Sequence, residues 1–233
     1  MKNKIFLSIL LILLLSGCVK MDNTLIINKD GSSDFTMIYG IDSQLYSSEM
    51  GAPESMDEFK SDAEKSGFKV VTYKDKEFTG LKISKHFESY KDIKFVNNSE
   101  SKMNFKVNEQ KGFFKNKYAV EAVYDLRGMS DEMGDGSEGF DEQILNSILG
   151  KMDLKFTLKL PVKSGDNNAS NVSDEGKTLT WDLLPDKNNE LKVQFEKVNT
   201  LNIVLLAVGI VVALISTLIV IFKKRKPTIE ETF

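Results

Sequence analysis

The chain has 233 residues, with 31 Lys and Arg against 34 Asp and Glu, one histidine and one cysteine. At 41 % hydrophobic and 28 % charged residues it can bury a globular core, which excludes a wholly disordered or fibrous chain. A single cysteine excludes a disulfide framework, and a net charge of −3 with no basic surface signature speaks against a nucleic-acid partner.

The N-terminus reads as a processing signal. Lys2 and Lys4 form a short positive region, and the run Ile5–Leu15 is apolar apart from Ser8. That run has the size of a signal-peptide core and is short for a membrane span. It closes on Leu15-Ser16-Gly17-Cys18, which resembles the bacterial lipobox. The resemblance implies transfer of diacylglycerol to the Cys18 thiol and cleavage between Gly17 and Cys18. Residues 1–17 are therefore expected to be a lipoprotein signal peptide, and Cys18 the lipid attachment site.

The middle of the chain, expected as one extracytoplasmic domain over residues 18–200, reads mostly as strand. Thr24–Asn28 and Asp34–Ile41 are β-rich runs around the turn residues Asp30-Gly31-Ser32. Ser55 and Glu58 have capping-box spacing, and Met56, Phe59 and Ala63 share a helical face that Gly67 would terminate. The segments FKVVTYKD and TGLKISKHFES are the next strands. SKMNFKVNE and GFFKNKYAVEAVYDLRG make a hairpin around Gln110-Lys111-Gly112. A short helix is expected over Asp141–Leu149. In MDLKFTLKLPV, the residues Met152, Leu154, Phe156, Leu158 and Leu160 alternate with polar ones, and KTLTWDLLPDKNNELKVQFEK supplies a closing hairpin. The pattern predicts an α+β fold: an antiparallel sheet of hairpins with two or more helices.

Leu201–Phe222 is uncharged, and at 1.5 Å per residue it spans roughly 33 Å, enough to cross a bilayer. Lys223, Lys224, Arg225 and Lys226 follow, which predicts a basic cytoplasmic tail over 223–233. The expected topology places residues 18–200 outside and 223–233 inside, on the cytoplasmic membrane. With a first strand near Thr24 and a last strand ending near Val198, the two tethers would reach about 20 Å and 10 Å, so both ends of the domain are expected near one leaflet.

No nucleophile elbow, zinc helix, phosphate loop or dinucleotide fingerprint occurs. His86 sits alone on a predicted strand, and no catalytic residue, cofactor or metal site is expected. The segment Asp131–Glu142 carries six acids and no base. Asp131, Asp135, Gly136 and Glu142 match calcium-loop positions, but Met133 stands where a ligand is required, and a solvated acidic loop is expected.

Several features occur together: the lipobox, the KDG after the first strand, GFFKNKY…YDLRG, a terminal membrane helix and the late segment LPVKSGDNNASNVSDEGKTLTWDLLPDKNNELKV. The late segment holds Asn168-Ala169 and Trp181. Together they resemble the LppM-like bacterial lipoproteins. The resemblance implies an extracytoplasmic α+β domain with a hydrophobic cavity, no catalytic residues, and binding of membrane lipid or glycolipid at the outer face of the membrane. Eight methionines between the anchors suit either an adaptable apolar surface or an ordinary core. The alternative is an interaction subunit whose partner is an envelope protein.

Overall fold

The computed structural model of the chain describes residues 17, 19–44, 54–95, 102–128 and 149–224. Through them run, in chain order, β1 (Val19–Ile27), β2 (Ser33–Asp42), α1 (Glu54–Lys65), β3 (Lys69–Lys74), β4 (Phe78–Phe87), β5 (Lys102–Gln110) and β6 (Lys115–Asp125). Then follow β7 (Asp153–Lys159), β8 (Ser164–Asn167), β9 (Asn171–Ser173), β10 (Thr178–Asp182), β11 (Asn188–Val198) and α2 (Thr200–Lys224). The helix expected over Asp141–Leu149 lies, except for Leu149, outside the described residues.

The strands divide between two sheets. One has seven strands in the order β3-β4-β2-β1-β7-β10-β9, and the other has four in the order β5-β6-β11-β8. The fold is therefore α+β and rich in sheet, but it is not the single antiparallel sheet expected. β1 and β7 pair in parallel, from Lys20 opposite Asp153 to Ile26 opposite Lys159. A parallel neighbour arrives by a long crossover, and alternation within a strand carries no sign of it. The closing hairpin also divides. β10 pairs with β7 in the first sheet, while β11 pairs with β6 in the second. Asn189 turns the chain between them, its Oδ1 accepting from the Leu184 N–H (2.8 Å) and its Nδ2 reaching the Tyr124 carbonyl (3.3 Å).

Each sheet buries one face. In β1 the buried residues are Val19, Met21, Asn23, Leu25 and Ile27, in strict alternation. β7 contributes Leu154, Phe156 and Leu158; β6 contributes Tyr118, Val120, Ala122 and Tyr124; β11 contributes Leu191, Val193 and Phe195. The two faces meet in one cluster, where the Tyr124 hydroxyl contacts the Met21 sulfur at 3.5 Å. α1 seats Ala63 in the same cluster. Met21, Met37, Met56 and Met103 are all buried, so these methionines fill the core and present no adaptable surface.

The outer face of the larger sheet is polar. Ser84, Thr36, Thr24, Thr157 and Thr180 stand side by side across five strands. Lys20 with Asp22 (3.1 Å) and Lys155 with Asp153 (2.6 Å) form ion pairs beside them.

In the β2–β4 pair Gly40 faces Gly80. A Cβ on Gly80 would come within 2.0 Å of the Tyr39 carbonyl oxygen, which is backbone and cannot swing aside. Gly80→Ala is therefore expected to destabilise the domain by about 1–3 kcal/mol. Urea denaturation should show a lower midpoint with an unchanged slope.

Candidate functional site

The last strand leads straight into the apolar helix. β11 ends at Val198 and α2 begins at Thr200, so Asn199 alone joins them. Asn199 donates its N–H to the Phe114 carbonyl (2.8 Å) and its Nδ2 to the Gly112 carbonyl (3.3 Å). Its Oδ1 accepts from the Asn202 N–H (3.4 Å) and its carbonyl from the Ile203 N–H (3.2 Å), as an N-cap does. Asn202 Nδ2 adds a bond to the Phe113 carbonyl (3.2 Å). An 18-residue stretch within α2 has a mean hydropathy of 3.1, and none of that stretch is buried against the domain. The helix is long and apolar enough to cross a membrane.

Corners of both sheets gather at this end of the domain. Lys197 Nζ donates to the Lys29 carbonyl in the β1–β2 turn. The Gly31 carbonyl of that turn accepts from the Tyr90 N–H (2.9 Å), at the start of a short 3-10 turn over Tyr90–Asp92. Where these segments meet, Ile27, Gly31, Tyr90, Val107, Tyr118, Phe195 and Lys197 line a recess. It has room for about 20 Å³, the scale of one water. A second recess, between Met37 and Phe35 of one sheet and Met103 and Tyr124 of the other, has room for about 10 Å³. Between the sheets, in these recesses, side chains leave no space for an acyl chain.

Four donors converge on Glu109 beside the first recess. They are the Tyr118 hydroxyl (3.1 Å), the Tyr90 hydroxyl (3.2 Å), Asn116 Nδ2 (3.3 Å) and Lys91 Nζ (3.3 Å). Burial is the largest single influence on this carboxyl and pushes it up. The bonds from Tyr118, Lys91 and Tyr90 together outweigh that, so Glu109 is held below the usual carboxylate range. Burial and the Glu109 charge push the Tyr90 phenol well above its ordinary value, and burial also raises Tyr118. Glu109 is thus ionised with its lone pairs occupied, and the two phenols stay neutral donors. That arrangement holds β5, β6 and the 3-10 turn together. It does not leave a free base or a labile proton for acid–base chemistry. The Tyr118 ring stacks on Phe195 (4.8 Å, 10°) and meets Tyr90 edge-on (6.1 Å), giving the recess an aromatic wall.

A family model described as the LppM domain matches residues 20–197. The chain belongs to the LppM domain family. Among solved structures it is similar to the NMR structure of the folded domain of Mycobacterium tuberculosis LppM, with 13 % identity and a TM-score of 0.43, over 79 % of this chain and 92 % of that one. No curated protein matches the chain.

Within this LppM domain, the late segment acts as a staple. Asn168 Oδ1 accepts from Trp181 Nε1 (2.8 Å) and from the Lys192 N–H (2.7 Å), while its Nδ2 donates to the Glu190 carbonyl (2.9 Å). One side chain so joins the β8–β9 connection to a strand of each sheet. Gly17 packs against the Lys151 carbonyl, which a Cβ there would approach to 2.6 Å. Cys18, the acidic segment 131–142 and the tail beyond Lys224 lie outside the described residues, as do the side chains of Ser55 and Glu58. The Tyr90–Glu109–Tyr118 group went unforeseen, because its members lie on separate elements with no fixed spacing. The signal that could have pointed to Asn199 is Asn before an apolar helix.

His86 is half-exposed on the polar face of the larger sheet. Its Nδ1 lies 2.7 Å from Asp34 Oδ1, and Asn28 Nδ2 donates to Asp34 Oδ2 (2.8 Å). The bond to Asp34 raises the imidazole above its ordinary 6.5, and the same bond lowers Asp34 below 3.8. The raised histidine stabilises the fold below its unfolded value and loses that effect as pH rises through the folded one. The lowered aspartate stabilises above its unfolded value and loses that effect as pH falls. The pair is therefore favoured in mildly acidic solution. An NMR titration of His86 should give a midpoint above 6.5, and Asp34→Asn should bring it down. Equal midpoints would refute the pairing.

Proposed function

We propose that the chain is a bacterial lipoprotein, diacylated at Cys18 and held by α2, whose non-catalytic domain binds the headgroup of a lipid or glycolipid at the outer face of the cytoplasmic membrane. The observation that carries this reading is position. The aromatic recess with Lys197 at its edge lies at the end of the domain from which α2 leaves, with two residues between Lys197 and the helix. The basic residues after Phe222 favour a cytoplasmic C-terminus, which leaves the domain outside. The recess is too small for an acyl chain, so the ligand's chains stay in the bilayer and its headgroup meets the rim of Tyr90, Tyr118 and Lys197.

The first anchor enters differently from the second. β1 begins at Val19, directly after Cys18, and not near Thr24. It runs toward the β1–β2 turn, which Lys197 binds beside α2. The nine residues of β1 at about 3.3 Å each put Val19 roughly 26 Å from the α2 end. The two points of attachment therefore sit at opposite poles, in place of the shared end that two flexible tethers had suggested. Lipid at Cys18 and α2 reach one leaflet when the strands lie along the membrane surface.

Native mass spectrometry of the full chain, gently extracted from bacterial membranes, tests the reading. A mature chain beginning at a diacylated Cys18 is expected, with one lipid retained non-covalently. Tyr90→Ala with Lys197→Ala should weaken retention about tenfold. Retention unchanged in this variant would move the ligand elsewhere, and no retained lipid would favour an envelope-protein partner. A Cys18→Ser chain differing from the wild type only by the substituted atom would refute lipidation.

A further inference from the structure

We propose that the β5–β6 turn is a membrane-contact element: Phe113 and Phe114 lie in the interfacial layer of the leaflet that α2 enters, fixed there by Asn199 and Asn202. The proposal rests on α2 as a membrane span and is independent of any lipid ligand in the recess.

Phe113 and Phe114 are 55 % and 57 % exposed, adjacent, and packed edge-on against each other at 4.9 Å. The other exposed large apolar side chains of the described domain away from α2, at Val71, Val172 and Leu184, are scattered singly, as is ordinary. Two neighbouring phenylalanines at a turn are a directed apolar tip.

Three successive carbonyls of this turn face the start of α2. Those of Gly112 and Phe114 accept from Asn199, and that of Phe113 from Asn202. Asn199 and Asn202 are three residues apart on the helix, about 4.5 Å along its axis. The turn is thus held level with the first helical turn, where a spanning helix passes through the headgroup region. Gly112 keeps the turn tight, since a Cβ on it would come within 2.3 Å of the Lys115 carbonyl oxygen. With their carbonyls drawn to the helix, the two rings point away from the core.

The flanking charges suit the same layer. Lys115 and Lys117 share Glu196 (3.0 and 3.7 Å), and Lys111 is exposed at the turn itself. Long amines beside an apolar tip can lay their stems along the lipid and leave the charge among phosphates. The occupant that fits is a lipid surface, because the apolar helix bonded to the turn is continuous with it.

The test uses the full chain reconstituted in phosphatidylcholine vesicles, with Phe113→Trp and Phe114→Trp made separately. Trp181 is buried and bonded to Asn168, so it gives a constant background. The added tryptophan is expected to emit at shorter wavelength than in water, and to lose about half its emission when the acyl chains are brominated near the headgroup. A chain that floats with the vesicles but carries a water-like, unquenched probe at both positions overturns the proposal alone. A blue-shifted but unquenched probe marks contact with a second copy of the chain, and overturns it too. A chain that does not float with the vesicles overturns both this proposal and the membrane reading of α2.

Discussion

Asn199 is the constraint on which the arrangement of this molecule depends. It is the single residue between the last strand and the apolar helix, and all its polar groups are engaged. Its N–H and Nδ2 hold the β5–β6 turn, while its Oδ1 and carbonyl receive the first amides of α2. A one-residue connection with free dihedrals would let the domain swing. This one leaves little freedom, because each rotation of Asn199 breaks a bond on one side or the other. The β5–β6 turn, the β1–β2 turn and the aromatic recess are therefore held near the level of the helix start, however the rest of the domain is tilted.

The packing of two sheets makes that junction rigid. β11 pairs with β6 from Asn188 opposite Asp125 to Val198 opposite Lys115, so the ladder runs unbroken to the last residue before Asn199. Behind it, Phe195 and Val193 are buried against the larger sheet, and the stack of Phe195 on Tyr118 closes the α2 end. Glu109, with its four donors, draws the 3-10 turn onto the same corner. Removing one donor would leave a half-buried carboxylate short of a partner, and this network therefore reads as structural support for the recess rim.

Much of the fold was legible in the sequence because alternation is a local property. β7 shows it over its whole length, and so does the buried face of β6. α2 was legible from length and composition. What alternation does not record is which strands become neighbours. β10 and β11 look like a hairpin, yet Leu179 and Trp181 face one side of the core from one sheet, and Leu191 and Val193 from the other. The stretch Ser164–Ser173 looks like a polar loop because β8 and β9 are edge strands whose side chains stay largely exposed. β1 was placed too late, because Val19-Lys20-Met21-Asp22 has too few apolar residues to stand out, although Val19 and Met21 are buried. At the candidate site, Phe113 and Phe114 were visible as two aromatics in a row, but nothing local separates a turn tip from a strand. Tyr90, Glu109 and Tyr118 come together only through the pairing of β5 with β6 and the return of the chain to Gly31.

On the proposed lipidation of Cys18, the position of β1 decides how two anchors would serve one domain. With Val19 at the pole opposite α2, the lipid proposed for Cys18 would reach the leaflet either by peeling the start of β1 away from its neighbours or by laying the domain on its side. Peeling would expose Val19 and Met21, at about 1.5–3 kcal/mol for each side chain, and would break ladder bonds to β2 on one side and β7 on the other. Several such losses would approach the whole stability of a small domain. Laying the domain down leaves the β1 ladder intact, and because Asn199 fixes α2 to the domain, the helix tilts with it, as membrane helices commonly do. Both outer faces suit contact with headgroups, since each is polar and carries paired charges. For a chain lipidated as proposed, tilt is therefore favoured over peeling. On the proposed lipidation of Cys18, a domain held at both poles would keep its long axis in the membrane plane, with the recess and the paired phenylalanines at its α2 end.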